Sequence, residues 1–183
     1  CYMGNMQLAK DNVDNIIKAF SMVSADYPDY QLWLFGTPSS QDRMIVEQAI
    51  REHKLEEKVF IKGRVDFDKV PQILTNASLL VTSQPITKRA QGGFPTKMAE
   101  YMMSGTPMLV TNVGEIYKYV QNGVTAYMVE PCDPDAYSQK LRYILSHPAE
   151  AEQVAQRAYE YATANFCSKP VTNKLIKFLT QLN

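Results

Sequence analysis

One stretch of the sequence combines residue types suited to holding an anion. Between Gln91 and Thr111 the chain reads QGGFPTKMAEYMMSGTPMLVT. Gly92 and Gly93 free the backbone, and Pro95 suits the first position of a helix, where its lost N–H is not needed. Gly105, ahead of Pro107, supplies a left-handed stop. The first N–H groups of such a helix lack partners within it, and its dipole favours negative charge, so the turn Gly93, Phe94, Pro95, Thr96 is a predicted phosphate seat. Lys97 and Glu100 follow three residues apart on one side, while Met98, Ala99, Met102 and Met103 are apolar enough to pack on the other. Lys10, Lys88 and Arg89 are further cations in segments near predicted strand ends, each with a plainer reading as a solvated surface charge.

Other chemistries find little support. His53 and His147 fall at predicted helix ends, and there is no G-x-S-x-G elbow, no H-E-x-x-H pair and no His and carboxylate set at metal spacing. After the first predicted strand the chain reads GNMQLAKDN, whose single glycine, Gly4, does not make the G-x-G-x-x-G dinucleotide fingerprint. The turn Gly63, Arg64, Val65 places an arginine that could stack on a base or face water. Tyr117, Tyr119, Tyr159 and Tyr161 recur at helical spacing and read as packing groups.

Composition narrows the field further. Lys plus Arg equals Asp plus Glu at 19 each, so there is no global pull toward nucleic acid or anionic lipid, and any anion site must be local. The three cysteines are scattered without metal or redox spacing, which fits a reducing, cytoplasmic setting. No apolar run is long enough to span a bilayer and no signal peptide is visible. The 183 residues suffice for one domain burying roughly 70% of its unfolded surface. The chain opens at Cys1 on what reads as a strand, which suggests a piece of a longer protein beginning at a domain boundary, with ordinary processing as the alternative.

The elements that must position these residues alternate. Strands are expected near Tyr2–Met6, Gln31–Phe35, Val59–Ile61, Ser78–Thr82, Met108–Thr111 and Ala126–Val129. Helices are expected over Asp14–Tyr27, Gln41–His53, Asp68–Asn76, the stretch after Gly93, Glu115–Gln121 and Pro134–Ser146, then Ala149–Asn165 and Val171–Leu182 with no strand following. Strands such as LWLF, LLVT and MLVT are apolar on both parities, as in a sheet covered on both faces. The fold class is therefore α/β: a Rossmann-like, doubly wound parallel sheet of about six strands in the order 3-2-1-4-5-6, with extra C-terminal helices. In that order ligands bind where strands one and four diverge. This gathers Lys10, Lys88, Arg89, Lys97 and the helix start at one switch point, a set suited to a diphosphate.

Taken together, GGFPTKMAEYMMSGTPMLVTNVGEI, NGVTAYMVEPCDPDAY and RAYEYATANF, preceded by YMGNMQLAKDNVDNIIKAF and VFIKGRVDFDKVPQILTNASLLV, resemble the C-terminal half of retaining glycosyltransferases of family four, in the GT-B group. The resemblance covers nearly the whole chain. It implies that Lys10 holds the donor diphosphate, that Gly63, Arg64 and Val65 meet the base, that Gly93, Phe94, Pro95 and Thr96 receive phosphate, and that Glu100 binds the ribose hydroxyls. Lys10 and Glu100 are then the expected catalytic pair, with Gly4, Asn5, Lys88, Arg89, Gly92 and Lys97 also in the donor site. Transfer with retention, stabilised by the lysine and the helix start, needs no metal or other cofactor.

Two positions depart from the family pattern. Asn5 stands where an arginine is usual, which removes a charge-assisted contact of about 1.5–3 kcal/mol. Gly92 stands where a sugar-binding glutamate is usual. Lys97, Lys88 or Arg89 could restore the positive charge.

The implied function is donor binding in a glycosyltransferase. A nucleotide-diphospho-sugar would be the donor, and a polysaccharide, lipopolysaccharide or similar glycan, or a lipid-linked glycan, the acceptor. The acceptor would be held by an N-terminal domain outside this sequence, and the chain alone would transfer no sugar. Nucleic acid is not an expected partner, and a longer protein could sit peripherally on the inner face of the membrane. A sugar-nucleotide epimerase of the same architecture and a non-catalytic nucleotide-sugar-binding module are the alternatives.

Overall fold

The computed structural model describes residues 1–92 and 96–181. Its strands are β1 (Tyr2–Met3), β2 (Leu32–Phe35), β3 (Val59–Gly63), β4 (Leu80–Val81), β5 (Met108–Thr111) and β6 (Tyr127–Val129). Its α-helices are α1 (Leu8–Asp11), α2 (Val13–Ser21), α3 (Ser40–Glu52), α4 (Val70–Thr75), α5 (Lys88–Gly92), α6 (Thr96–Ser104), α7 (Pro134–Ser146), α8 (Pro148–Asn165) and α9 (Ser168–Thr180). All strand pairs are parallel and form two sheets, β1-β2-β3 and β4-β5-β6. The two meet where the Cys1 amine donates to the Leu79 carbonyl at 2.7 Å and Val81 N–H donates to the Cys1 carbonyl at 2.9 Å. Read across that seam, the order is the expected 3-2-1-4-5-6.

The seam is slight because β1 and β4 are only two residues long each. β1 stops at Gly4, and Met6 takes a left-handed φ of 53° that no strand continues through. Several other expected boundaries also shift. The helix expected to reach Tyr27 ends at Ser21, and that expected over Glu115–Gln121 is a single 3₁₀ turn, Ile116–Lys118. The short helix α1 was not expected; it is set off from α2 by Asn12 at φ 46°.

Strand side chains divide between two cores, as a sheet covered on both faces requires. Tyr2, Leu34, Val81 and Leu109 join α2, α3 and α7 on one face, and Leu80, Met108 and Val110 join α4 and α6 on the other. α8 serves both. Its buried alanines at 151, 155, 158 and 162 form one stripe of small side chains, so the helix can lie close to its neighbours. In α6, Tyr101 takes the inward place expected of Met103, which is 37% exposed. Gly105 ends α6 at φ 68°, as its sequence position suggested. Of the four tyrosines expected to pack, Tyr119 and Tyr161 lie against Phe166, whereas Tyr117 and Tyr159 are exposed.

Candidate functional site

The carboxyl ends of β1 and β4 carry the two loops expected to form the site, of which the structure describes residues 4–10 and 83–92. The segment after β4 is held from three directions. The Asn15 amide donates to Ser83 Oγ at 3.0 Å, the Tyr137 hydroxyl to the Thr82 carbonyl at 2.8 Å, and the Thr111 hydroxyl to the Gln84 carbonyl at 2.8 Å. Asn15, Ser83, Thr111 and Tyr137 are all buried, so these bonds are shielded from competing water. Sequence reading missed Asn15, Ser83 and Tyr137, since nothing local marks a buried polar residue whose partner lies dozens of positions away.

A cleft of about 60 Å³ opens above this platform, lined by Lys10, Thr82, Gln84, Thr96, Lys97, Met98, Val110 and Ile116. It brings Lys10, from the loop after β1, to the first turn of α6, which holds Thr96 and Lys97. Two cations, two hydroxyls and an amide side chain over an apolar floor make a small polar cleft that suits a phosphate oxygen.

Lys97 does more than line the cleft. Its ammonium donates to Asp11 Oδ1 at 2.8 Å and to the Tyr2 hydroxyl at 3.2 Å, and it lies 4.7 Å from the centre of the Tyr2 ring. The Asp11 side chain is 1% exposed and that of Lys97 21%. Burial pushes the Lys97 ammonium below its ordinary value, and the Asp11 carboxylate opposes that fall. Burial, with the Asp11 charge beside it, pushes the Tyr2 phenol well up, so it stays a neutral hydroxyl that also accepts from Met6 N–H at 3.2 Å. Gly4 lies against this cluster. A Cβ there would collide with Lys97 Nζ and the Tyr2 hydroxyl, while one on Gly36 would collide with the Gly4 carbonyl.

The remaining expected residues are dispersed around the cleft. Asn5, Arg64, Gly92, Thr96 and Glu100 are exposed, and Gly4, Lys10, Gly63 and Val65 are half-buried. Gly63 ends β3 at φ 74°, with its carbonyl accepting from Gly36 N–H at 2.8 Å. Lys88 and Arg89, expected in a loop, stand exposed on helix α5 and do not line the cleft. Thr87 starts that helix, its hydroxyl accepting from Ala90 N–H at 3.1 Å. Gly93, Phe94 and Pro95, the predicted phosphate turn, lie outside the described residues. His53 and His147 sit at helix ends, as expected. Among the described residues, no group of three His, Cys, Asp or Glu side chains is arranged to hold a metal, and no helix is long and apolar enough to cross a membrane.

A larger groove, of about 690 Å³, opens at the amino ends of the strands beside Cys1, Leu32, Trp33 and Leu79. None of its lining residues is a lysine or arginine, so its size does not make it an anion site.

An open parallel α/β sheet read in the order 3-2-1-4-5-6 defines the doubly wound, Rossmann-like class of fold. The sequence places the chain within that class: residues 1–161 match the model for glycosyl transferases group 1, and the chain belongs to that family. It is 26% identical over 165 residues to glycogen synthase of Mycobacterium tuberculosis, a match covering 90% of this chain and 38% of that protein. The chain thus spans well under half the length of that relative. Among solved structures, Anabaena HepE in complex with UDP and glucose superposes with a TM-score of 0.85 at 17% identity, covering 98% of this chain and 47% of that one. The C-terminal domain of a glycosyl transferase group 1 family protein (LpcC) from Francisella tularensis superposes at 0.78 with 19% identity, covering 91% of this chain and 85% of that domain. These likenesses establish the GT-B Rossmann-like fold.

Proposed function

We propose that this chain is the donor-binding half of a retaining glycosyltransferase, holding a nucleoside-diphospho-sugar for transfer to a glycan acceptor bound by another domain of a longer polypeptide. One observation carries the reading: Lys10 and the first turn of α6, 86 positions apart from Lys10 to Thr96, line one cleft at the switch point of a 3-2-1-4-5-6 sheet. The diphosphate sits there, with Lys10 and the start of α6 stabilising the charge that develops on the leaving phosphate. Fixed donors aimed at developing charge are the largest usual contribution to such a reaction, and no metal is needed in this scheme. Glu100 binds the ribose, and Gly63, Arg64 and Val65 meet the base. HepE, whose structure holds UDP and glucose, supports a nucleotide sugar as donor.

Calorimetric titration tests this. UDP, GDP and ADP are compared with uridine, guanosine and adenosine. One diphosphate is expected to bind near a millimolar dissociation constant, about −4 kcal/mol, and its nucleoside at least tenfold more weakly. Equal affinities for the nucleoside and its diphosphate would rule out a diphosphate seat.

A further inference from the structure

We infer that Asp11 is a positioning residue for the donor diphosphate: through its ion pair with Lys97 it locks the helical turn that carries Lys10 to the first turn of α6. The inference rests on the donor-binding reading above and adds to it a residue that binds no donor atom itself.

α1 is only four residues long, and a single helical turn cannot hold its own shape in water. Its place must come from tertiary contacts. Of its residues only Asp11 is buried, and Leu8 is a partly buried side chain packed against the core. Asp11 reaches across to Lys97 at 2.8 Å, joining the loop after β1 to the helix after β4. Lys97 is itself held from below by the Tyr2 hydroxyl, and Gly4 leaves just the room that the ammonium occupies. The chain of contacts therefore runs from Lys10 through the neighbouring Asp11 and Lys97 to Thr96, the two ends being residues of one cleft.

Stability alone does not account for this pair. A buried ion pair contributes little net stability, because desolvation offsets the attraction, and an apolar pair of similar size often does as well. Here the desolvation cost is under-compensated, since Asp11 Oδ2 has no hydrogen-bond partner among the described residues. A carboxylate next to a phosphate seat is also electrostatically unfavourable for the ligand. What the pair supplies is geometry. It fixes Lys10 relative to α6, and it leaves one of the three ammonium N–H groups of Lys97 without a partner among the described residues, on a side chain that lines the cleft.

The sign of one substitution separates position from charge. Asp11→Asn removes a negative charge beside the cleft, so charge alone would tighten UDP binding. A positioning role has the opposite result: UDP affinity falls about tenfold, uridine affinity changes less than twofold, and amide exchange at residues 8–12 quickens at least tenfold relative to Leu34 and Leu109. Asp11→Glu keeps the charge but moves the carboxylate by one methylene, and is expected to weaken UDP severalfold without abolishing folding. UDP binding that is unchanged or tighter in Asp11→Asn would overturn the inference, as would an Asp11→Glu protein matching the parent in both UDP affinity and exchange. So would loss of the fold in both variants, which would make the pair purely structural. Should the parent bind no nucleotide, the donor reading fails, and the exchange rates at residues 8–12 still decide whether Asp11 fixes α1.

Discussion

In the proposed donor site Lys10 and Glu100 would hold one ligand by different parts, and their substitutions should divide accordingly. Lys10 lines the cleft of Thr96 and Lys97, so Lys10→Ala removes a charge-assisted contact to phosphate of about 1.5–3 kcal/mol. The expected result is a tenfold or greater loss of diphosphate affinity with nucleoside affinity unchanged. Glu100 is exposed on α6, one helical turn beyond Thr96, where it can accept from ribose hydroxyls. Glu100→Ala should weaken nucleoside and diphosphate alike, and an unchanged nucleoside affinity would remove its ribose role. By type alone Lys10 reads as a solvated surface lysine, and it and Glu100 take their roles from the family resemblance. Asp11 and Tyr2 carry no such signal. Asp11 reads as one more charge in a polar loop and Tyr2 as a strand residue, and only the fold places both against Lys97.

At the level of elements, the alternation of apolar runs with helical patterns was enough for the parallel order. Side chains on both faces of LWLF and MLVT are buried, with Trp33 as the exception at 40% exposure. Element ends were less legible, for identifiable reasons. The ends of β1, α1 and α3 are set by Met6, Asn12 and Lys54, which take left-handed backbone conformations that no glycine announces. The placing of Lys88 and Arg89 on α5 was obscured by a charged, proline-containing stretch that reads as loop. The departures at Asn5 and Gly92 acquire a partial account at this scale. Of the three cations named as replacements, only Lys97 lines the cleft, and its ammonium is already shared with Asp11 and Tyr2.

Across the whole molecule, the seam between the two sheets rests on the backbone of Cys1, whose nitrogen donates to the Leu79 carbonyl and whose carbonyl accepts from Val81 N–H. The same seam marks the amino ends of the strands, with the large apolar groove beside it, whereas the cations gather at the carboxyl ends. Titrating the isotopically labelled chain with UDP, GDP and ADP, and following its backbone amides by NMR, tests the donor site directly. At least one nucleotide should shift the amides of residues 8–12 and 96–100 saturably and together. Shifts confined to the surroundings of Leu32 and Leu79, or no shift with any of the three, would contradict a diphosphate seat between Lys10 and α6.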